Sequence, residues 1–169
     1  MSSSAPFRSP MLDDNALAAL LSAVRAHAEA SGLFGEVTLE GATLSLVAPH
    51  AAAPAWYRVL AEQGHLYIAL VTPDRYLSQS IEQDLVHAGD KMGDLLNDEL
   101  IDVDHPAPYR PVVEHFRDPQ KLFTFRSVAP ASDLAGSLSD SAQRIWLTLK
   151  AYQACFVNLG GMNEAAEGE

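Results

Sequence analysis

The sequence predicts one α+β domain in which helices cover one face of an antiparallel sheet. Segments with apolar residues at helical spacing occur near both ends and in the middle of the chain, and two groups of alternating segments separate them. The chain has 169 residues, of which 48% are apolar, and this is enough for one hydrophobic core. The predicted element order is α-β-β-β(-β)-α-β-β-α.

The first helix is predicted from apolar residues that recur every three or four positions after a short N-terminal tail. Residues 1–10 are rich in Ser, Ala and Pro without periodicity, so we expect a flexible tail there. Asp13 or Asp14 can cap the helix, and Gly32 provides its stop. Its apolar stripe consists of Leu17, Leu20, Leu21, Val24 and Ala28.

Four segments with alternating apolar residues follow and predict an antiparallel meander. "EVTLE" and "ATLSLV" are joined at Glu40-Gly41, and "WYRVLAEQ" and "HLYIALV" are joined at Gln63-Gly64. Short connections that contain glycine are typical of hairpins between antiparallel strands. A second hairpin is predicted later in the chain, where "RDPQ" separates "YRPVVEHF" from "KLFTFRSV".

Two further helices are predicted from apolar residues at helical spacing. A long central helix runs from Asp74 to about Leu100, and the loop "DVDHPAP" then breaks it. "SLSD" offers a capping box for the last helix, which Gly160-Gly161 stops. We therefore expect the domain to span residues 11–160 and an acidic C-terminal tail to occupy residues 161–169.

Charge and cysteine content exclude several classes of function. Eleven basic residues against 22 acidic ones give a net charge of −11, which repels nucleic-acid phosphates and attracts basic protein segments. The single cysteine, Cys155, excludes a disulfide framework. The N-terminus lacks a signal-peptide pattern, and no apolar run reaches the length of about 18 residues that a membrane span needs. We expect a cytoplasmic protein without membrane or direct nucleic-acid contact.

The order of these elements resembles that of the YbjN-like family, whose fold is similar to type III secretion chaperones. The likeness extends from about Leu12 to Leu159 and includes "HLYIALVTPDRYLSQSIEQDLVHAGDKMGDLLNDEL", in which a strand leads into the central helix. The chain departs from the family in having four predicted strands before the central helix, where the family commonly has three. The resemblance implies a non-enzymatic, often homodimeric protein that binds a segment of another protein.

The glycines of the central helix indicate a close approach of another backbone. A glycine inside a helix costs about 1 kcal/mol relative to alanine, so Gly89 and Gly93 need an offsetting contact. They lie at the edge of the apolar face, beside Leu85, Met92 and Leu96. The contact is either packing within the chain or a subunit interface, and the family resemblance favours the interface of a homodimer.

Acidic residues concentrate on the second half of the central helix and in its exit loop. We define the acidic surface as Asp90, Asp94, Asp98, Glu99, Asp102 and Asp104. This surface either supports solubility or docks a partner protein that carries a basic segment. Docking of this kind would be sensitive to salt.

The sequence contains no nucleophile elbow and no phosphate-binding glycine loop, so we predict a non-enzymatic, chaperone-like or regulatory adaptor without a cofactor. A first alternative is a metal-dependent enzyme or regulator that uses Asp84, His87 and Asp94. His105 from the following loop could add a ligand, although this spacing is also typical of a solvated helix face. A second alternative is a small-molecule-binding sensory domain, which would need a roomy cavity.

Overall fold

A computed structural model describes residues 14–88, 92–106, 109–129 and 137–163 of the chain. Within these ranges the chain forms four helices and six strands. The helices are α1 (Asp14–Ser31), α2 (Arg75–Ala88), α3 (Met92–Asp102) and α4 (Leu138–Phe156). The strands are β1 (Val37–Glu40), β2 (Thr43–Val47), β3 (Trp56–Glu62), β4 (His65–Thr72), β5 (Glu114–Arg117) and β6 (Phe123–Val128).

The six strands form one antiparallel sheet in the order β1-β2-β3-β4-β6-β5. The predicted four-strand meander and the second hairpin are therefore confirmed. Gln63 and Gly64 connect β3 to β4 with φ angles of 54° and 82°, as the tight turn of a hairpin requires. The second hairpin places β6 beside β4, so β1 and β5 are the edges of the sheet.

The helices and one face of the sheet enclose the hydrophobic core, which confirms the predicted α+β class. This inner face carries Leu46, Tyr57, Leu70 and Phe125 in one row across four strands. Helix α4 contacts β3 and β4, and helix α1 contacts β1, β2 and α4. The predicted stripe of α1 is buried, and Gly32 follows the helix with a φ of 71°. No helix in the described part of the chain is long and apolar enough to cross a bilayer.

The structure describes two helices, α2 and α3, where the sequence predicts one central helix. Helix α2 ends at Ala88 and α3 begins at Met92, while residues 89–91 lie outside the described ranges. The two helices also have different neighbours, since α2 contacts β4 and α3 contacts α4.

The prediction that Gly160-Gly161 stops the last helix is wrong. Helix α4 ends at Phe156, and Val157 caps it by donating its N–H to the carbonyl of Gln153. The chain continues in turns that bury Leu159 and Met162, so the domain extends beyond the predicted boundary at residue 160.

The two glycines instead let this C-terminal turn contact α2 closely. Gly160 has a φ of 53° and donates its N–H to the carboxylate of Asp84 at 2.6 Å. Gly161 donates its N–H to the hydroxyl of Ser80 at 3.2 Å. A Cβ on Gly160 would lie 2.7 Å from the backbone nitrogen of Ile81. No larger residue fits this crossing without displacing a backbone.

We expect Gly160→Ala to lower the free energy of unfolding by roughly 3 kcal/mol, through left-handed strain and a backbone clash together. Gly41→Ala is the matched control, because Gly41 also has a left-handed φ of 60° but nothing within 4 Å of its Cβ position. The control should lose only about 1 kcal/mol. Urea unfolding of both variants measures the difference, and equal losses would contradict the close crossing.

Candidate functional site

The face of the sheet opposite the helices carries a groove. We call it the outer groove; it is open to solvent and has a volume of about 500 Å³. Its lining comes from strands and turns, and no helix contributes a residue to it. The lining residues are Thr43, Arg58, Leu60, Glu62, Gln63, Ala69, Val71, Phe116, Asp118, Pro119, Gln120, Thr124 and Arg126.

The outer groove exists because small residues in the middle of the sheet lie between larger ones. Ala69, Val71 and Thr124 are only 1%, 3% and 5% exposed although they point away from the helices. At one end the β5–β6 turn forms a wall, which Asp118 holds in shape. Its carboxylate accepts the N–H groups of Gln120 and Leu122, each at 2.9 Å.

Arg126 on β6 lies in the outer groove with its charge fully compensated by the chain. Its guanidinium donates to Glu62 at 2.5 Å and to Glu114 at 3.1 Å. The same group lies 3.9 Å from the centre of the Tyr67 ring and 4.9 Å from that of Phe116. Burial alone would lower the pKa of Arg126, but the hydrogen bonds with the two glutamates outweigh it and raise the pKa. This cluster joins β3, β4, β5 and β6 on the outer face.

Arg58 on β3 is the second arginine of the outer groove, and no described carboxylate compensates its charge. The register places Arg58 and Arg126 on opposite sides of Ala69, which corresponds to a Cα separation of about 10 Å. The side chain of Arg58 is half-buried, and its Nε is buried without a hydrogen-bond partner. No carboxylate within the described ranges forms an ion pair with it. A buried donor without an acceptor is uncommon in folded proteins and calls for an explanation.

The residues predicted as a dimer or partner interface have contacts within the chain. Met92 and Leu96 are buried in the core, and Leu85 is half-buried against it. A Cβ on Gly93 would collide with the backbone carbonyl oxygen of Pro111. These contacts support the alternative of packing within the chain for Gly93, while Gly89 lies outside the described residues. The homodimer stays a prediction.

The acidic surface lies on the helical side of the sheet, away from the outer groove. Asp98, Asp102 and Asp104 are exposed and Glu99 is half-buried, whereas Asp90 lies outside the described residues. Asp94 is paired with Arg110 at 2.6 Å. Burial, followed by the charges of Asp102 and Asp98, raises the pKa of Glu99. The exposed carboxylates of Asp98, Asp102 and Asp104 form no ion pair with another described residue.

The residues proposed as metal ligands have other contacts. Asp84 accepts the N–H of Gly160, and Asp94 pairs with Arg110. His105 is buried beside Thr148 of α4, with 3.3 Å between Nε2 and Oγ1. The side chain of His87 is not described. In the described part of the chain, no three potential ligands come together as a metal site would require.

Sequence reasoning also missed a cluster of three polar side chains, His115, Ser78 and Glu82, which joins α2 to the second hairpin. The Nε2 atom of His115 lies 3.4 Å from the hydroxyl of Ser78 and 3.3 Å from the carboxylate of Glu82. Its Nδ1 atom lies 3.0 Å from the carbonyl oxygen of Thr124. Because Ser78 is only 1% exposed, a substrate cannot reach its hydroxyl in this arrangement. The set anchors the edge strand β5 to α2.

The thiol of Cys155 on α4 is free and buried. Burial, followed by the charge of Glu99, raises its pKa to about 12. The thiolate form that a nucleophile requires is therefore disfavoured at neutral pH.

Comparison with family models, with curated proteins and with solved structures finds no match for this chain. The resemblance to the YbjN-like family therefore stays a prediction, and the outer groove rests on its own geometry.

We expect Glu99→Gln to raise the free energy of unfolding at pH 7. The raised pKa means that the folded protein binds the proton of Glu99 more readily than the unfolded chain does. Protonated Glu99 therefore contributes stability that is fully present below its pKa in the unfolded chain. This contribution is lost as the pH rises through the pKa of Glu99 in the folded protein. Urea unfolding at pH 7 and at about pH 4 measures this effect, which should shrink at the lower pH.

Glu40→Gln is the matched control, because Glu40 is an exposed glutamate on the edge strand β1. It should leave the free energy of unfolding nearly unchanged at both pH values. A stabilisation by Glu99→Gln that is equal at pH 7 and pH 4 would contradict the electrostatic explanation.

Proposed function

We propose that this protein is a non-catalytic binding module that holds an extended segment of another protein in the outer groove. The observation that carries this proposal is a groove on the open sheet face to which no described helix contributes. Concave, largely preformed surfaces with an apolar floor and a few polar groups are where proteins bind ligands.

The shape of the outer groove favours an extended occupant. Thr43 and Gln63 line it where β2 begins and β3 ends, while Pro119 and Gln120 line it at the β5–β6 turn. In the antiparallel register these two sets of turns lie at opposite ends of the sheet. The site therefore crosses the sheet diagonally, as an extended chain that rises about 3.3 Å per residue can do.

The rigidity of the surrounding sheet also supports binding. The floor belongs to β3, β4 and β6, whose backbones are paired on both sides. Arg126 fixes the wall that carries Phe116 through ion pairs and ring contacts. A preformed site lowers the conformational entropy that binding would otherwise cost.

The proposal agrees with what the resemblance implies, namely a YbjN-like, type III secretion chaperone-like adaptor that binds its partner as a cytoplasmic homodimer. A second copy could pair at an edge strand, since β1 and β5 each have one unpaired side in the sheet. The acidic surface on α3 belongs to the same proposal as a second contact, for a basic region of the partner outside the bound segment.

A small-molecule ligand is the second candidate function. A cavity of about 500 Å³ lies within the size range of small-ligand sites. The diagonal course of the outer groove favours the protein segment, and selection of peptides distinguishes the two.

Peptides are first selected from a random displayed library on the immobilised full-length wild-type protein. We expect these peptides to bind the Leu60→Lys variant at least tenfold more weakly than they bind wild type. Leu60 is a half-buried apolar residue of the outer groove, and a lysine there removes contact area worth about 1.5 kcal/mol or more. Gln143→Lys is the matched control, since Gln143 is exposed on α4 and has no place in the groove.

Titration of labelled peptides with both variants gives the affinities, and thermal unfolding checks that both are folded. Peptides that bind both variants equally would contradict the outer groove as the binding site. A library that yields no binding peptide would contradict the proposed function itself.

A further inference from the structure

We infer that the outer groove recognises the carboxylate of an Asp or Glu side chain in the bound segment, through the guanidinium of Arg58. This inference rests on the proposed function, since it names a chemical requirement on the same segment. Neither the net charge nor the acidic surface predicts an acidic residue in the bound segment, because both favour a basic partner.

The first step is the contrast between the two arginines of the outer groove. Arg126 has two carboxylates and two aromatic rings around its guanidinium. Arg58 has no ion pair and a buried Nε without a partner, within the described part of the chain. The described residues thus supply counter-charges to one arginine only, and the other brings an unpaired positive charge to the lining of the groove.

The second step is the immediate surroundings of Arg58. Its neighbours in register on the outer face are Ser45 on β2 and Ala69 on β4, and neither is acidic. Glu62, the acidic residue of the same strand that lines the groove, is committed to Arg126. Asp118, the other acidic residue of the lining, accepts two backbone N–H groups in its own turn. With no described carboxylate on Arg58, a carboxylate of the ligand would form the charge-assisted, potentially bidentate pair that guanidinium groups favour.

The third step is the composition of the walls beside Arg58. Leu60 and Phe116 are half-buried and give the outer groove apolar surface near the charged group. A matching segment carries its acidic residue next to apolar ones. The partly desolvated setting strengthens a charge pair relative to one in open water.

Because the net charge is −11, a preference for an acidic residue would stand out in a peptide selection. The overall field of the protein attracts basic peptides and repels acidic ones. Non-specific electrostatics would therefore enrich Lys and Arg in a selection. Enrichment of an acidic residue at one position runs against that background and has to come from a local cation.

The experiment uses the random displayed library on three full-length proteins, namely wild type, Arg58→Gln and Arg75→Gln. The peptides are displayed as internal segments, so that no free C-terminal carboxylate is present. Arg75→Gln is the matched control, because Arg75 is exposed on α2 outside the outer groove and its loss changes the net charge equally. Thermal unfolding verifies that each variant is folded before selection.

We expect wild type and Arg75→Gln to enrich peptides with Asp or Glu at one position beside apolar residues, and Arg58→Gln to lose that preference. In titrations, replacing the acidic residue by its amide should weaken binding to wild type at least tenfold. The same replacement should change binding to Arg58→Gln less than twofold, because the two groups act as a pair.

Two results would overturn the inference while leaving the proposed function in place. One is a set of peptides that depend on Leu60 but show no acidic preference. The other is an acidic preference that Arg58→Gln retains. If no selected peptide depends on Leu60, the proposed function fails and the inference fails with it.

Discussion

The central strand β4 is buried on both of its faces, although the core shared with the helices lies on only one of them. On the outer face the neighbouring strands have to provide the cover with their own side chains, chiefly Arg126 and Phe116. Small residues such as Ala69 fit beneath these long ones. The outer groove is therefore a direct result of covering a central strand without a second layer of helices.

Two glycines hold the helices to the rest of the chain through close backbone approaches. Gly160 lets the C-terminal turn meet α2, and Gly93 lets the segment before β5 meet the start of α3. Each contact joins residues far apart in sequence, and each has no space for a Cβ. The helical layer is thus fixed at separate points, and no described helix lines the groove on the other side of the sheet.

Local patterns predicted the strands, the hairpins and α1, because alternation and turn residues act over a few positions. The different neighbours of α2 and α3 were not predictable in this way, because they depend on contacts between residues far apart in the chain. The outer groove was missed for the same reason. It requires β6 to lie beside β4, and the pair of Glu62 and Arg126 spans 64 positions. Arg58 is the residue that sequence reasoning could have marked, as a cation in the middle of an apolar strand.

The distribution of charge connects the fold with its proposed use. Acidic residues dominate the helical side, while the outer face places two arginines around one alanine. One of these arginines stabilises the sheet, because Glu62 and Glu114 compensate it. The other contributes no comparable contact, and burying part of its guanidinium without a partner opposes folding. Departures of a sequence from consistency with its fold are expected at functional or strained sites, and this departure at Arg58 is the basis of the proposed role.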